Sequence, residues 1–94
     1  MTGPATYYRQ RDLVGRQRTK SRPAVKGRLP FSAATLWRRN KTGLFCPPIR
    51  ISAGVVAWIA DEVHAIEAAW AAGKTEDEIR ALVAELVEAR SKAA

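Results

Sequence analysis

Ser32, Thr35, Arg38, Arg39 and Lys41 fall within ten residues, behind Pro30 and ahead of Gly43. On a helix, two hydroxyls and three cations at these spacings equip one end and one outer side to meet a polyanion. An arginine can fork onto a guanine edge or a phosphate, a threonine hydroxyl can reach either, and the free amides of a first turn favour phosphate. Ala33 and Ala34 add little bulk beside that entrance, so the backbone can approach a groove closely. The plainer alternative is a solvated face on an ordinary helix, which is what a charge run usually is. Leu36 belongs to the body side, and Trp37 is expected in the core rather than stacked on a base.

Other chemistries find few residues to perform them. Cys46 and His64 are the only soft metal ligands, and a zinc site needs about four. Cys46 has no neighbouring base in the sequence and sits in a Pro-rich turn, and His64 is expected at the surface of an acidic helix. Asp61 and Glu62 are accounted for as helix-start acids, Glu67 has no catalytic partner in view, and no Gly-rich phosphate loop is present. The expectation is therefore a protein that is not an enzyme, with no metal, no cofactor and no small-molecule substrate.

The 94 residues allow one small domain, 47% hydrophobic and 27% charged, with formal net charge +7. The charge is unevenly placed. Residues 1–50 hold twelve basic side chains against one acid, Asp12, and residues 51–94 hold four against eight, so the halves come to +11 and −4. A one-sided field of this size attracts polyanions. Nucleic acid leads, and an anionic membrane surface follows, weakened because the basic half lacks a long amphipathic apolar stripe. No apolar run reaches the length of a membrane span, and a lone cysteine fits a reducing cytoplasm, so a cytoplasmic, DNA-associated protein is expected.

The elements that must position these residues follow from local signals. Residues 1–6 read as a flexible tail, and "YYRQRDLVG" as a short helix closed by Gly15. Residues 16–28 form a basic loop broken by Pro23 and Gly27. Ser32 caps a helix of about three turns that ends in a left-handed Gly43. Pro47 and Pro48 forbid helix, and the β-branched runs after them predict a hairpin with its tip at Ala53-Gly54. A helix over 60–72 carries Val63, Ile66 and Trp70 at helical spacing, and Trp58 and Trp70 both point to the core. Thr75 and Glu78 form a capping box, and behind it Ile79, Leu82, Val83, Leu86 and Val87 make an apolar stripe. That last helix either folds back on its own domain or pairs with a second copy through Ile79, Leu82, Val83 and Leu86.

From Leu29 to Ile66, about two-fifths of the chain, this pattern is similar to the AlpA-like regulators and excisionases of prophages and integrative elements. The likeness is carried by Leu29, Ser32, Thr35, Leu36, Trp37 and Arg38, then by Gly43, Phe45, Pro48, Ile49, Arg50 and Ile51. Val56, Trp58, Glu62, Val63 and Ala65 complete it at matching spacings. Four positions depart from the pattern. Ala33 stands where a base often follows the capping serine, and Asn40 replaces an apolar residue. Cys46 replaces a proline, and Gly54 replaces a wing-tip arginine.

The resemblance implies a mainly α fold with a small β-hairpin, a MerR-like winged helix-turn-helix over 7–72, to which residues 73–94 add an amphipathic helix for packing or self-association. It implies a double-stranded DNA binder of a mobile element, with Ser32, Ala33, Thr35, Arg38, Arg39, Lys41 and Arg50 as contacts. Arg22, Lys26 and Arg28 would supply the salt-dependent part of affinity. The expected role is an excisionase, a recombination directionality factor that turns integrase toward excision and binds attachment-site DNA cooperatively through self-association. The alternatives are an activator of integrase and excisionase genes, an adaptor that binds integrase without reading DNA, and an RNA or anionic-membrane binder.

Overall fold

The computed structural model describes residues 6–93, with side chains described as far as Ser91. The expected flexible tail lies outside the described residues except for Thr6. In chain order come β1 (Tyr7–Tyr8), α1 (Gln10–Val14), α2 (Ala33–Thr42), β2 (Ile49–Ser52), β3 (Val55–Ile59), α3 (Ala60–Ala71) and α4 (Glu76–Ala93). Among the described residues the fold is thus four helices around a small antiparallel sheet of order β1-β3-β2.

The hairpin forms where expected, with Ala53 and Gly54 at its tip and Ile49 paired with Ala57 and Arg50 with Val56. Its third strand is a correction. Tyr7 and Tyr8 do not extend the first helix but pair with Ile59 and Trp58 of β3. The Ala60 amide donates to the Thr6 carbonyl at 2.8 Å, so Thr6 is tied down. Two adjacent aromatics suit a strand on a half-buried sheet better than a helix turn, and the central β3 left an open edge for them. Helix α1 is accordingly only five residues long, its Leu13 buried and its entrance closed by the Asp12 carboxylate, which accepts from the Arg9 amide at 2.8 Å.

Helix α2 follows its local signals closely. Ser32 Oγ accepts from the Thr35 amide at 3.4 Å, and Gly43 adopts φ 77°, returning its amide toward the last-turn carbonyls. Leu36 is fully buried, as expected. Trp37 is corrected: its side chain is 40% exposed, set edge-on to Trp58 with ring centroids 5.5 Å apart, and its indole N–H donates to Gln10 Oε1 at 3.0 Å. It sits at the rim of the core, bridging α2 to α1. Asn40, where an apolar residue was expected, has both amide atoms buried without a partner. Such a group typically costs about 1–3 kcal/mol.

One core joins Leu13, Leu29, Leu36, Phe45, Trp58, Val63 and Ile66 with Ile79 and Val83 of α4. Trp58 is fully buried and Trp70 packs against this cluster, stacked on Phe45 with centroids 6.2 Å apart. The last helix therefore folds back on its own chain. Ile79 and Val83 are buried, and Leu82 and Leu86 pack against the core while only partly covered. A role for Ile79 and Val83 in self-association is corrected by this burial, because a stripe already filled from within offers little apolar surface to a neighbour. The Thr75–Glu78 capping box forms in both directions, at 2.9 and 3.2 Å.

Cys46 lies in the same core with no exposed surface. Burial, reinforced by the Glu62 charge and partly offset by Arg90, pushes its thiol up from 9.0 to about 12. A folded pKa above the unfolded one means that the protonated thiol contributes stability fully below pH 9. That contribution drains away as pH rises toward about 12. In native buffer at neutral pH, labelling by a thiol reagent is expected to track unfolding, with the rate rising only when denaturant or heat opens the core. Rapid labelling of the folded protein would contradict this burial.

Candidate nucleic-acid interface

The basic stretch 16–28 is not a free loop. Its base is an isolated antiparallel bridge in which Arg16 and Val25 exchange both backbone bonds at 2.8 Å. Beyond that bridge the Arg28 and Leu29 amides donate to the carbonyls of Asp12 and Leu13, at 2.9 and 2.6 Å. Within it, the Thr19 amide donates to the Arg22 carbonyl at 2.9 Å and Thr19 Oγ1 accepts from the Arg22 amide at 3.1 Å, closing a turn. The segment is a short arm stapled to the end of α1, with Arg18, Lys20 and Arg22 exposed toward its tip.

The staple depends on two glycines. Gly15 has φ 71°, which favours glycine, and a Cβ there would stand 2.7 Å from the Gly27 amide and closer still to the Val25 carbonyl. A Cβ on Gly27 would collide with the backbone of Val14 and Gly15. The two strands of backbone touch directly at this point.

Between α1, the arm, the first turn of α2 and the hairpin tip runs an open groove of about 1020 Å³. Its walls include Ser32, Ala33 and Ala34 at the entrance of α2, Gly54 and Val56 from the hairpin, and Arg22 and Lys26 from the arm. It also takes in Arg9, Arg11 and Arg16, and no Asp or Glu lines it. None of these five cations takes part in an ion pair among the described residues. Helix α2 thus presents its amide-rich end to a positively charged cleft.

The remaining residues picked out in the sequence divide into free and engaged. Arg38, Lys41 and Arg50 are exposed and form no ion pair among the described residues. One Arg38 guanidinium nitrogen donates to Thr35 Oγ1 at 3.3 Å, joining two candidate base contacts into one polar unit. Arg39 is half-buried, its guanidinium 5.0 Å from the centre of the Phe31 ring, and so partly spent on packing.

Arg28 is corrected more strongly. Its Nε and terminal nitrogen donate to the two Glu67 oxygens at 2.7 and 2.8 Å, and it lies over the Tyr8 ring at 5.4 Å. The hydrogen bond to Glu67 holds the guanidinium above its usual range. A phosphate would have to displace a bidentate carboxylate, so Arg28 serves to pin the arm's root to α3. Tyr8 also bonds His64 Nε2 through its hydroxyl at 2.8 Å, so the exposed His64 is a sheet-to-helix contact.

Arg9 and Arg11 were not singled out in the sequence. They lie inside "YYRQRDLVG", a stretch that reads as a short apolar-sided helix, and their signal is the lack of carboxylates: Asp12 alone stands among the bases of residues 1–50. That Asp12 is turned to the helix entrance rather than to either arginine side chain follows from its bond to the Arg9 amide. Among the described residues there is no cluster of three or more potential metal ligands, and no helix long and apolar enough to cross a membrane. Comparison with protein-family models, with curated proteins and with solved structures finds no match to this chain.

Proposed function

We propose that this chain is a sequence-specific binder of double-stranded DNA, organised as a winged helix-turn-helix with α2 as the recognition helix and the β2–β3 hairpin as the wing. The observation that carries this reading is the cleft in which the first turn of α2, the hairpin tip and the basic arm meet, with five unpaired cations and no carboxylate lining it. Helix α2 would enter the major groove by its Ser32–Ala33 end, with Thr35 and Arg38 toward base edges and Lys41 and Arg50 toward phosphates. Arg39 contributes less than its position suggests, because it already covers Phe31.

The likeness to AlpA-like proteins, together with this arrangement, supports a role in the control of a mobile element in the bacterial cytoplasm. The role we favour is that of an excisionase acting with integrase at attachment-site DNA. Cooperative stacking through the apolar stripe of α4 is not part of this proposal, since Ile79 and Val83 are used inside the chain.

The test is Arg38→Ala, assayed by fluorescence anisotropy on attachment-site and scrambled duplexes. A base-reading arginine costs about 1–3 kcal/mol at the specific site when removed, and leaves scrambled DNA nearly unaffected. Equal weakening on both duplexes would reduce Arg38 to a phosphate contact. Absence of duplex binding by the unmodified protein would overturn the proposal.

A further inference from the structure

We infer that the groove between α1, the arm and the hairpin tip seats the phosphodiester backbone of one DNA strand, gripped by Arg9, Arg11, Arg16, Arg22 and Lys26. This rests on the DNA-binding reading and adds to it a second contact surface, on elements other than the outer side of α2.

Four observations converge. The cations come from two segments bonded to each other, α1 and the arm, and none takes part in an ion pair among the described residues. Arg16 is held in place by its backbone bridge to Val25, and one terminal nitrogen donates to the Pro23 carbonyl at 3.4 Å. Its Nε, however, is buried without any partner. A charged group left without its full set of partners is costly, and a phosphate in the groove would neutralise the Arg16 guanidinium that lines it.

The third observation is the rest of the lining. Ala33 and Ala34 stand at the first turn of α2, where amides have no intrahelical partner, and small side chains leave them approachable. Val14, Val25 and Val56 supply apolar patches for the sugars between phosphates.

The fourth is shape. At about 1020 Å³ and open to solvent, the groove lies at the upper end of what enclosed small-ligand pockets reach, roughly 300–1,000 Å³. An open channel of this size suits a polymer passing through rather than an isolated anion. The arm and the hairpin tip then stand on either side of one strand, and α2 begins between them.

The salt dependence of duplex binding reads the number of phosphates engaged. Arg9→Gln/Arg11→Gln/Arg16→Gln is expected to reduce the slope of log K against log salt by up to about 3, with the preference for specific over scrambled duplex retained. Arg38→Ala should do the reverse, losing preference while moving the slope by no more than about 1. Because Arg16 is partly buried, Arg9→Gln/Arg11→Gln serves as a second variant on exposed residues alone, with an expected reduction of up to about 2. An unchanged slope in both folded variants would overturn the groove while leaving the DNA-binding reading intact.

A second arm needs no duplex. In NMR spectra of the unmodified protein, a short single-stranded oligonucleotide is expected to shift the Arg16 Nε–H resonance. If tripolyphosphate shifts it as strongly at equal charge, the groove takes free polyphosphate and the strand assignment falls. If neither shifts it, the groove binds no phosphate and the inference falls. A shift by the oligonucleotide in a protein that binds no duplex would retain the seat for a strand and overturn the duplex reading.

Discussion

Gly27→Ala is expected to lower stability by about 3 kcal/mol or more, the upper end of the range for forcing atoms into a packed site. For a domain of this size that corresponds to a melting temperature lower by roughly 12–24 °C. Only one methyl group is added, but a Cβ on Gly27 would fall on the backbone of Val14 and Gly15, which has no rotamer by which to retreat. Relief requires the arm to lift from α1, which would strain the bonds from Arg28 and Leu29 to the carbonyls of Asp12 and Leu13. Leu29 is buried in the core, so the damage would not stay local. Gly73→Ala is the fitting comparison, since its surroundings are open within 4 Å and only its φ of 73° opposes a side chain. That left-handed cost is about 1–2 kcal/mol. Thermal unfolding of the two variants beside the parent decides the matter: similar melting temperatures for both would show that the arm is not clamped as described. On the proposed DNA-binding reading, Gly27→Ala should also weaken duplex binding wherever it remains folded, because the arm lines the groove.

The same clamp marks the limit of what could be read from sequence. Elements specified by contiguous residues were legible: Ser32 and Gly43 bound α2, Ala53-Gly54 turns the hairpin, and Thr75 with Glu78 opens α4. Each rests on a local backbone requirement that few residue types meet. Contacts between distant segments were not legible. Nothing in "YYRQR" states that β3 has a free edge to receive Tyr7 and Tyr8, and nothing in the arm states that Gly27 must lie against Gly15. Two glycines in a basic stretch read as flexibility, whereas their lack of side chains is what allows rigid backbone contact. Charges behaved in the same way. Arg28 and Glu67 are 39 residues apart, and only the folded chain reveals that this arginine is already partnered.

The candidate site was legible as a list of cations and less so as a geometry. The half of the chain with twelve bases and one acid pointed to a polyanion, and the capped helix pointed to the end of α2. What folding adds is selection among twelve bases that look alike in sequence. Arg28 is withdrawn into an ion pair and Arg39 into a ring contact, while Arg9, Arg11 and Arg16 are turned into the cleft. A uniform basic loop would give affinity without orientation. On the proposed reading, an arm fixed at both ends would set the register of α2 on DNA, since phosphate contacts position a protein while base contacts specify the sequence.

Arg90→Ala is expected to be the most damaging single change at the other pole of the molecule, costing about 3–5 kcal/mol. Glu62 is 6% exposed, and its two oxygens accept from Arg90, one bond from Nε at 2.7 Å and one from a terminal nitrogen. The same terminal nitrogen donates to the Pro47 carbonyl at 2.7 Å, just before β2. The hydrogen bond to the Glu62 carboxylate holds the Arg90 guanidinium above its usual range. Removing the arginine strands a buried carboxylate and frees the Pro47 carbonyl just before the β2–β3 hairpin. The alternative origin, lost packing of a long side chain, is separated by Glu62→Met/Arg90→Met, which replaces both charges by apolar bulk. Exchanging a buried ion pair for packed hydrophobic residues is often neutral. The double variant should therefore recover about half of the loss, remaining short by roughly 1.5–3 kcal/mol for the charged hydrogen bond to Pro47. A single variant costing under about 1 kcal/mol would put this pair in the class of surface bridges. A double variant no better than the single would move the cost from the stranded charge to the freed Pro47 carbonyl. In either folded variant, chemical denaturation gives the stability change and anisotropy on duplex DNA gives its reach. Pro47 lies two residues before β2, so on the proposed DNA-binding reading loosening this joint should weaken contacts through Arg50 and leave any base preference due to Arg38 unchanged.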